Sequence, residues 1–297
     1  MTIRGAVYLV IGLVAALMAQ AEAAEKPPIM GLSYTPSGIQ SEAQLAKGVP
    51  ESVIRADLER LKPLTSRVRT YTVDRGLDRV PDVARALGMT VSLGLWIGKD
   101  AAKNEEELKR GIKVIERYAD VIDRIFVGNE TIEHGGLTAA EIMGYIRRVK
   151  EAVPGMNVGT AENWHVWLAH KELAGAVDFV GVHLLPYWDG LPVERAVEFE
   201  AERFGEVKRA FSGKPIVVAE TGWPSAGEQR QAAIPSAEGQ AMYVRAFLAR
   251  AARESYDFYI IEAFDQPSKA ASFESSVGPH WGVFDAARRP KFSVGGR

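Results

Sequence analysis

Eight short apolar runs alternate with amphipathic stretches along this chain, and no other feature narrows its possible folds so far. The runs are residues 29–34, 67–73, 90–97, 124–127, 156–161, 177–185, 215–219 and 258–264. A parallel strand is covered on both faces, so it reads as a near-continuous apolar run rather than as strict alternation. The intervening stretches carry helical spacing. Residues 51–62 place Ile54, Leu58 and Leu61 on one stripe, and residues 238–253 do the same with Met242, Val244, Phe247 and Leu248. Thr138-x-x-Glu141 is a capping box that opens a helix bearing Met143, Ile146 and Val149. Eight strand–helix alternations predict the α/β class and a single closed (β/α)8 TIM barrel over residues 27–297. An open doubly wound sheet is the rival, but no Gly-x-Gly-x-x-Gly follows the first run.

Composition removes several functions. A hydrophobic share of 47% with 25% charged residues excludes a disordered or polytopic membrane chain. A formal net charge of −2 offers no basic stripe for nucleic acid, so a neutral or weakly charged ligand is expected. With no cysteine, neither a disulfide framework nor a thiol nucleophile is available.

The first residues read differently from the rest. Arg4 precedes an uncharged apolar run over residues 6–18, too short for a comfortable membrane span, and small residues at Ala19, Ala21 and Ala23 offer cleavage spacing. Residues 1–23 are therefore expected to be a signal peptide, cut after Ala21 or Ala23, with an uncleaved anchor as the alternative. The mature protein is expected in the periplasm or outside the cell, without stable membrane association, as a monomer.

In a barrel, chemistry belongs at the carboxyl ends of the strands. Those ends carry Tyr34, then Arg69 with Tyr71, Trp96, Asn129 with Glu130, and Glu162 with Trp164. They continue with His183, Tyr187 and Trp188, Glu220 with Trp223, and finally Glu262, Phe264 and Asp265. Acids and aromatic rings thus gather where a ligand would bind, and rings with polar edges suit sugars. Glu130 and Glu220 close the fourth and seventh runs, facing each other across the mouth. A pair of carboxyls can cleave a glycosidic bond, one protonated to assist the leaving oxygen and one ionised to attack the sugar. The alternative is that each makes an ordinary salt bridge. The five histidines show no zinc-like pairing, so no metal or cofactor is expected. Asn129-Glu130-Thr131 matches a glycosylation pattern, but modification there would block the proposed pair.

Three motifs make a resemblance. Val127-Gly128-Asn129-Glu130, Ala219-Glu220-Thr221-Gly222-Trp223-Pro224-Ser225, and Ala263-Phe264-Asp265-Gln266-Pro267 followed by His280-Trp281-Gly282-Val283-Phe284 resemble glycoside hydrolase family 17. The resemblance runs from Gly31 to Phe292. It implies a (β/α)8 barrel acting on β-1,3-linked glucans with retention, Glu130 being the general acid/base and Glu220 the nucleophile. It further implies that Asn129 binds the sugar 2-hydroxyl, that Tyr187 touches the nucleophile, and that Trp223, Trp281 and Phe284 are sugar platforms. Tyr34, Arg69, Tyr71 and Glu162 complete the candidate substrate-binding set. Arg69 and Tyr71 would orient Glu220 or the substrate, or Arg69 would simply be a carboxylate partner. The default expectation for Glu162 and Glu262 is that they balance Arg69, and for His183 a hydrogen-bonded core or rim position.

Some residues depart from the family pattern. Plant-type members carry an acidic residue where this chain has Gln266, and close microbial relatives tend to have tryptophan where Ser268 precedes Lys269. The segment 188–213 is short, leaving little room for an extra subdomain. The expected activity is hydrolysis or transglucosylation of a β-glucan or gluco-oligosaccharide. The rival from another class is a non-catalytic glycan-binding barrel.

Overall fold

The computed structural model describes residues 28–272, 274 and 276–294. The expected signal segment, residues 1–23, lies outside them. Eight parallel strands close into a barrel in sequence order: β1 (Leu32–Ser33), β2 (Arg67–Arg69), β3 (Thr90–Leu95), β4 (Ile122–Asn129), β5 (Val158–Asn163), β6 (Phe179–Leu184), β7 (Ile216–Thr221) and β8 (Asp257–Ile260). Each expected run overlaps one strand. The first seven strands each lead to a helix with the same number: α1 (Glu51–Leu61), α2 (Val80–Leu87), α3 (Ala101–Tyr118), α4 (Ala139–Ala152), α5 (Trp164–Ala169), α6 (Val193–Ala210) and α7 (Ala237–Glu254). Among the described residues no helix is long and apolar enough to cross a membrane.

Local chemistry explains the helix ends. Thr138 accepts from the Glu141 amide while the Glu141 carboxylate accepts from the Thr138 amide, the capping box expected at the start of α4. Asp100 caps α3 and Ser236 caps α7 more simply, each side chain accepting first-turn amides without a reciprocal bond. The stripe of Ile54, Leu58 and Leu61 on α1 is buried as expected. In α7 the buried face is instead Tyr243, Val244, Phe247 and Ala251, while Met242 points to solvent. Tyr243 takes the inward position because its hydroxyl finds buried partners in Glu200 and Thr221. The single helix α6 fills most of the segment between Trp188 and Gly213, so the fold has no added subdomain there.

Two apolar layers hold the barrel. The larger lies between strands and helices and includes Val68, Leu93, Val127, Val182 and Val218. The smaller is formed by Phe126, Ala161, Phe179, Val217, Ala219 and Tyr259. Phe126 meets Phe179 edge-on at 5.1 Å and Tyr259 at 6.1 Å. Because these rings come from β4, β6 and β8, they fill the middle of the barrel interior.

Candidate active site

Strict alternation would not bring both carboxylates into the mouth. On β7, Val217 and Ala219 belong to the interior layer and Val218 to the outer one, so Glu220 should point outward. The β6–β7 register slips here: Val182 pairs with Val218 and His183 pairs with Glu220, leaving Ala219 over. That bulge re-aims Glu220 into the cleft and turns Thr221 toward Glu200 and Tyr243 on the helices. A second slip occurs on β4, where Phe126 pairs with Gly159 but Asn129 with Ala161. Gly128 supplies it with φ of 80°, and a Cβ there would lie 2.7 Å from Thr131 Oγ1. Glu130 itself has φ of 50°, a left-handed conformation that is costly for a glutamate and held by the surrounding bonds.

The two carboxylates are held differently. Glu220 Oε1 accepts from Arg69 Nη1 at 2.8 Å and from the Tyr71 hydroxyl at 2.8 Å. Arg69 is almost fully buried, and its other nitrogen, Nη2, donates to Asn129 Oδ1 at 2.6 Å. The guanidinium also lies over the Phe126 ring, 4.5 Å from its centroid. One arginine thereby ties the β7 carboxylate to the residue beside Glu130. Glu130 Oε1 meets His183 Nδ1 at 2.8 Å and accepts from Asn163 Nδ2 at 3.1 Å, while Oε2 meets His134 Nε2 at 3.0 Å. Burial pushes the Glu130 carboxyl up, but the hydrogen bonds from His134 and His183 outweigh it. They hold the group well below the usual carboxylate range. The bond to Glu130 in turn raises His134.

Glu130, His183 and Glu220 each bring one polar atom to within 4.8 Å of the others. The space between them already receives positive charge from Arg69, and the set is suited to handling protons and a developing cationic sugar.

The other expected site residues divide into those brought together and those kept apart. Arg69, Tyr71 and Asn129 join the two carboxylates. Tyr187 does not: its hydroxyl donates to the Glu228 carbonyl at 2.9 Å, and the contact with Glu220 is made by Tyr71. Tyr34 lies outside the cleft, with its hydroxyl on Asp57 of α1 at 2.9 Å. Phe284 is also outside, packed on Phe264 and beneath Arg60 of α1. Trp223 and Trp281 are 0% and 1% exposed, walled in by Tyr187, so neither offers a free face. Glu162 and Glu262 do not balance Arg69. Glu162 accepts from the Ile132 and Glu133 amides and fixes the turn that follows Glu130, whereas Glu262 pairs with Lys269 at 3.1 Å. Burial pushes both carboxyls up to about 7. Gln266 donates to the carbonyls of Thr35, Pro36 and Phe264, a nest of acceptors in which an acidic side chain would be repelled.

Three contributors escaped sequence reasoning as site residues: His134, Asn163 and the role of His183. His134 stands four residues after Glu130, a usable spacing signal, but Asn163 and His183 meet Glu130 only through the barrel register. Trp96 is the aromatic at the mouth with a free face, 53% exposed. Leu95 presses against Gly111 of α3, so the next residue turns to the inner side of β3. Buried Glu107 accepts the Trp96 amide, and buried Asn104 brackets Gly98 from both sides, so the exposed indole stands on fixed backbone.

A closed parallel barrel with two carboxylates facing each other at the ends of its fourth and seventh strands defines a barrel-type glycoside hydrolase. The chain belongs to the BtgE/BtgC glycoside hydrolase family, whose domain model matches residues 31–282. It is 28% identical over 257 residues to a glucan 1,3-beta-glucosidase of Arthroderma benhamiae, covering 80% of this chain and 82% of that one. It is 27% identical over 267 residues to a probable beta-glucosidase, btgE, of Aspergillus fumigatus, covering 86% of this chain but only 45% of that one. The chain thus spans less than half of several curated relatives. Among solved structures it resembles the glycoside hydrolase family 17 beta-1,3-glucanosyltransferase of Rhizomucor miehei, with TM-score 0.80, 26% identity, and 90% and 97% of the two chains covered. The endo-laminarinase of a Formosa strain, at TM-score 0.77 and 19% identity, shares the fold. The resemblance to family 17 and the enzymatic class expected from the motifs are thereby established.

Proposed function

We propose that the protein is an exported, monomeric, retaining enzyme that processes β-1,3-linked glucan, with Glu220 as nucleophile and Glu130 as acid/base. The observation that carries this reading is the pair itself, with oxygens of the two carboxyls within 4.8 Å of one another. Retention calls for carboxyls about 5–5.5 Å apart, whereas inversion needs about 6.5–9.5 Å to admit a water. The substrate class rests on the relatives: one is named for glucan 1,3-beta-glucosidase activity, and the Rhizomucor miehei enzyme was solved as an active-site mutant in complex with laminaritriose. Export rests on the composition of residues 1–23.

On this reading Glu220 attacks the anomeric carbon while Glu130 protonates the departing oxygen, giving a covalent glycosyl-enzyme. Arg69 and Tyr71 hold Glu220 in line, and Asn129, itself held by Arg69, meets the sugar 2-hydroxyl. Glu130 then deprotonates water or a sugar hydroxyl, which releases the product. Trp96 supplies the stacking face expected of the buried tryptophans.

A mass-spectrometric time course on a linear β-1,3-gluco-oligosaccharide tests the proposal. Products only shorter than the substrate would show hydrolysis, and products longer than it, or lacking a reducing end, would show transfer. No change in the substrate, with a folded protein, would overturn the glucan reading.

A further inference from the structure

Glu130 must carry a proton when the glycosidic bond breaks, yet its surroundings favour the ionised form. The source of that proton is a question the site geometry addresses. His183 stands at the carboxyl end of β6, fully buried, with Asn163 of β5 and Glu220 of β7 as its strand neighbours. Its Nδ1 is 2.8 Å from Glu130 Oε1 and its Nε2 is 3.5 Å from Glu220 Oε1. Nε2 has no hydrogen-bond partner among the described residues.

We infer that His183 is the positioning residue that loads Glu130, the imidazole and the carboxyl sharing one proton across the Nδ1–Oε1 contact. The inference rests on reading Glu130 as the acid/base and deepens it. A neutral ring donating from Nδ1 would aim the bare lone pair of Nε2 at the Glu220 carboxylate, whereas an imidazolium presents an N–H to each carboxylate. The charged and titratable neighbours are consistent with a cation here. Glu130 and His134 face it from β4 and the following loop, Glu162 from β5, and Glu220 from β7. Arg69 of β2 and Tyr71 just beyond it act on the same Glu220 oxygen, and Glu262, Lys269 and Glu274, all beyond β8, lie in range of Glu220. Of these, Glu130 and Glu220 stand nearest the ring nitrogens.

The step balances without another reactant. The proton moves from His183 Nδ1 to Glu130 Oε1, leaving a neutral ring and a neutral acid. Glu130 gives that proton to the glycosidic oxygen, which keeps the electron pair of its broken bond to the anomeric carbon. A Glu220 oxygen forms the new bond to that carbon and loses its negative charge, so the imidazolium forfeits one of its two counter-charges as its proton is needed. In the second half-reaction Glu130 takes a proton from the acceptor hydroxyl and returns it to the ring.

The test is the pH profile of kcat/KM for His183→Asn, whose amide keeps a donor for Oε1 but cannot hold the proton. Two substrates are used: a laminari-oligosaccharide, and a dinitrophenyl β-glucoside whose leaving group needs no acid. The expected result is an alkaline limb moved to lower pH by at least about one unit on the oligosaccharide, with kcat/KM for the dinitrophenyl substrate, which reports a step needing no acid, kept within about threefold. An unmoved limb, with equal losses on both substrates, would overturn the inference and leave His183 a structural residue. Glu130→Ala separates this from failure of the parent reading: if it does not lower kcat/KM on the oligosaccharide while sparing kcat/KM on the dinitrophenyl substrate, whose first step needs no acid, the acid/base assignment itself falls. Nitrogen NMR of the wild-type histidines gives a readout independent of the variant's folding. The His183 Nδ1 signal is expected to show a proton shared with Glu130 in the wild type and to change in Glu130→Gln, and an unchanged signal would refute the shared proton.

Discussion

Strand β2 sends two arginines into the barrel two residues apart, and their fates differ. Arg67, at the amino end, pairs with Asp123 at 3.0 Å and with Asp257, which also receives Arg124 at 2.7 Å. Ser92 meets both Asp123 and Tyr259, whose ring lies under Arg67. That network closes on itself and plugs the barrel. Arg69, at the carboxyl end, holds Glu220 Oε1 and Asn129, but Glu220 Oε2 and the Nε2 of His183 are left without a partner among the described residues. The same residue type on the same strand is structural where its partners satisfy one another and functional where they do not.

The widest separation between the two ends should come from their acids. Glu220→Gln is expected to lower glucan turnover on the order of 10⁴-fold or more with little change in melting temperature. Asp257→Asn should do the reverse, and comparable turnover losses in the two variants would erase the distinction. Next come the arginines. Removing one partner of a buried pair costs about 3–5 kcal/mol, less where an acid is part-exposed as Asp257 is, so Arg67→Met and Arg69→Met should both unfold at lower denaturant. Arg69→Met alone should also lose turnover in the molecules that remain folded, by roughly 10²–10³-fold.

A third buried acid sharpens the contrast. Glu200 of α6 accepts from Thr221 at 2.6 Å on the outer side of β7, and burial pushes its carboxyl up to about 8. An unfolded glutamate releases its proton near about 4.3, so between about 4.3 and 8 the folded state binds more protons. Stability therefore falls as pH rises through that window, by about 1.4 kcal/mol per pH unit from this group. Glu200→Gln should remove that slope, and denaturation curves at pH 5 and pH 8 would show its advantage growing with pH. Parallel curves would mean that Glu200 is ionised in the fold. The smallest effect is expected at the rim. Trp96→Ala should raise KM for a long oligosaccharide about tenfold, near 1.4 kcal/mol, without lowering stability. Trp281→Ala should chiefly lower stability, and the opposite pattern would restore Trp281 as the sugar platform.

Much of this site was legible because its two carboxylates end apolar runs and sit within specific motifs. What misled the reading were the aromatics and the second-tier acids. Trp223 and Trp281, read as sugar platforms, pack on Tyr187, which was read as touching the nucleophile. Glu162 and Glu262 look like counter-charges for Arg69, but each has a nearer partner, in the Glu130 turn and in Lys269 respectively.

The sequence by itself determined the number and order of the strands, since two-sided burial leaves near-continuous apolar runs, whereas the eighth expected helix is replaced by short 3-10 turns among the described residues. It also determined, through its motifs, which two glutamates face each other. Only the tertiary structure decided where those side chains aim. Bulges at Ala219 and after Phe126 break the two-residue alternation, so inward and outward cannot be counted along the strand. The partners were also decided there, because Arg69 reaches a residue 151 positions away, and His183 one 53 positions away, through barrel closure alone.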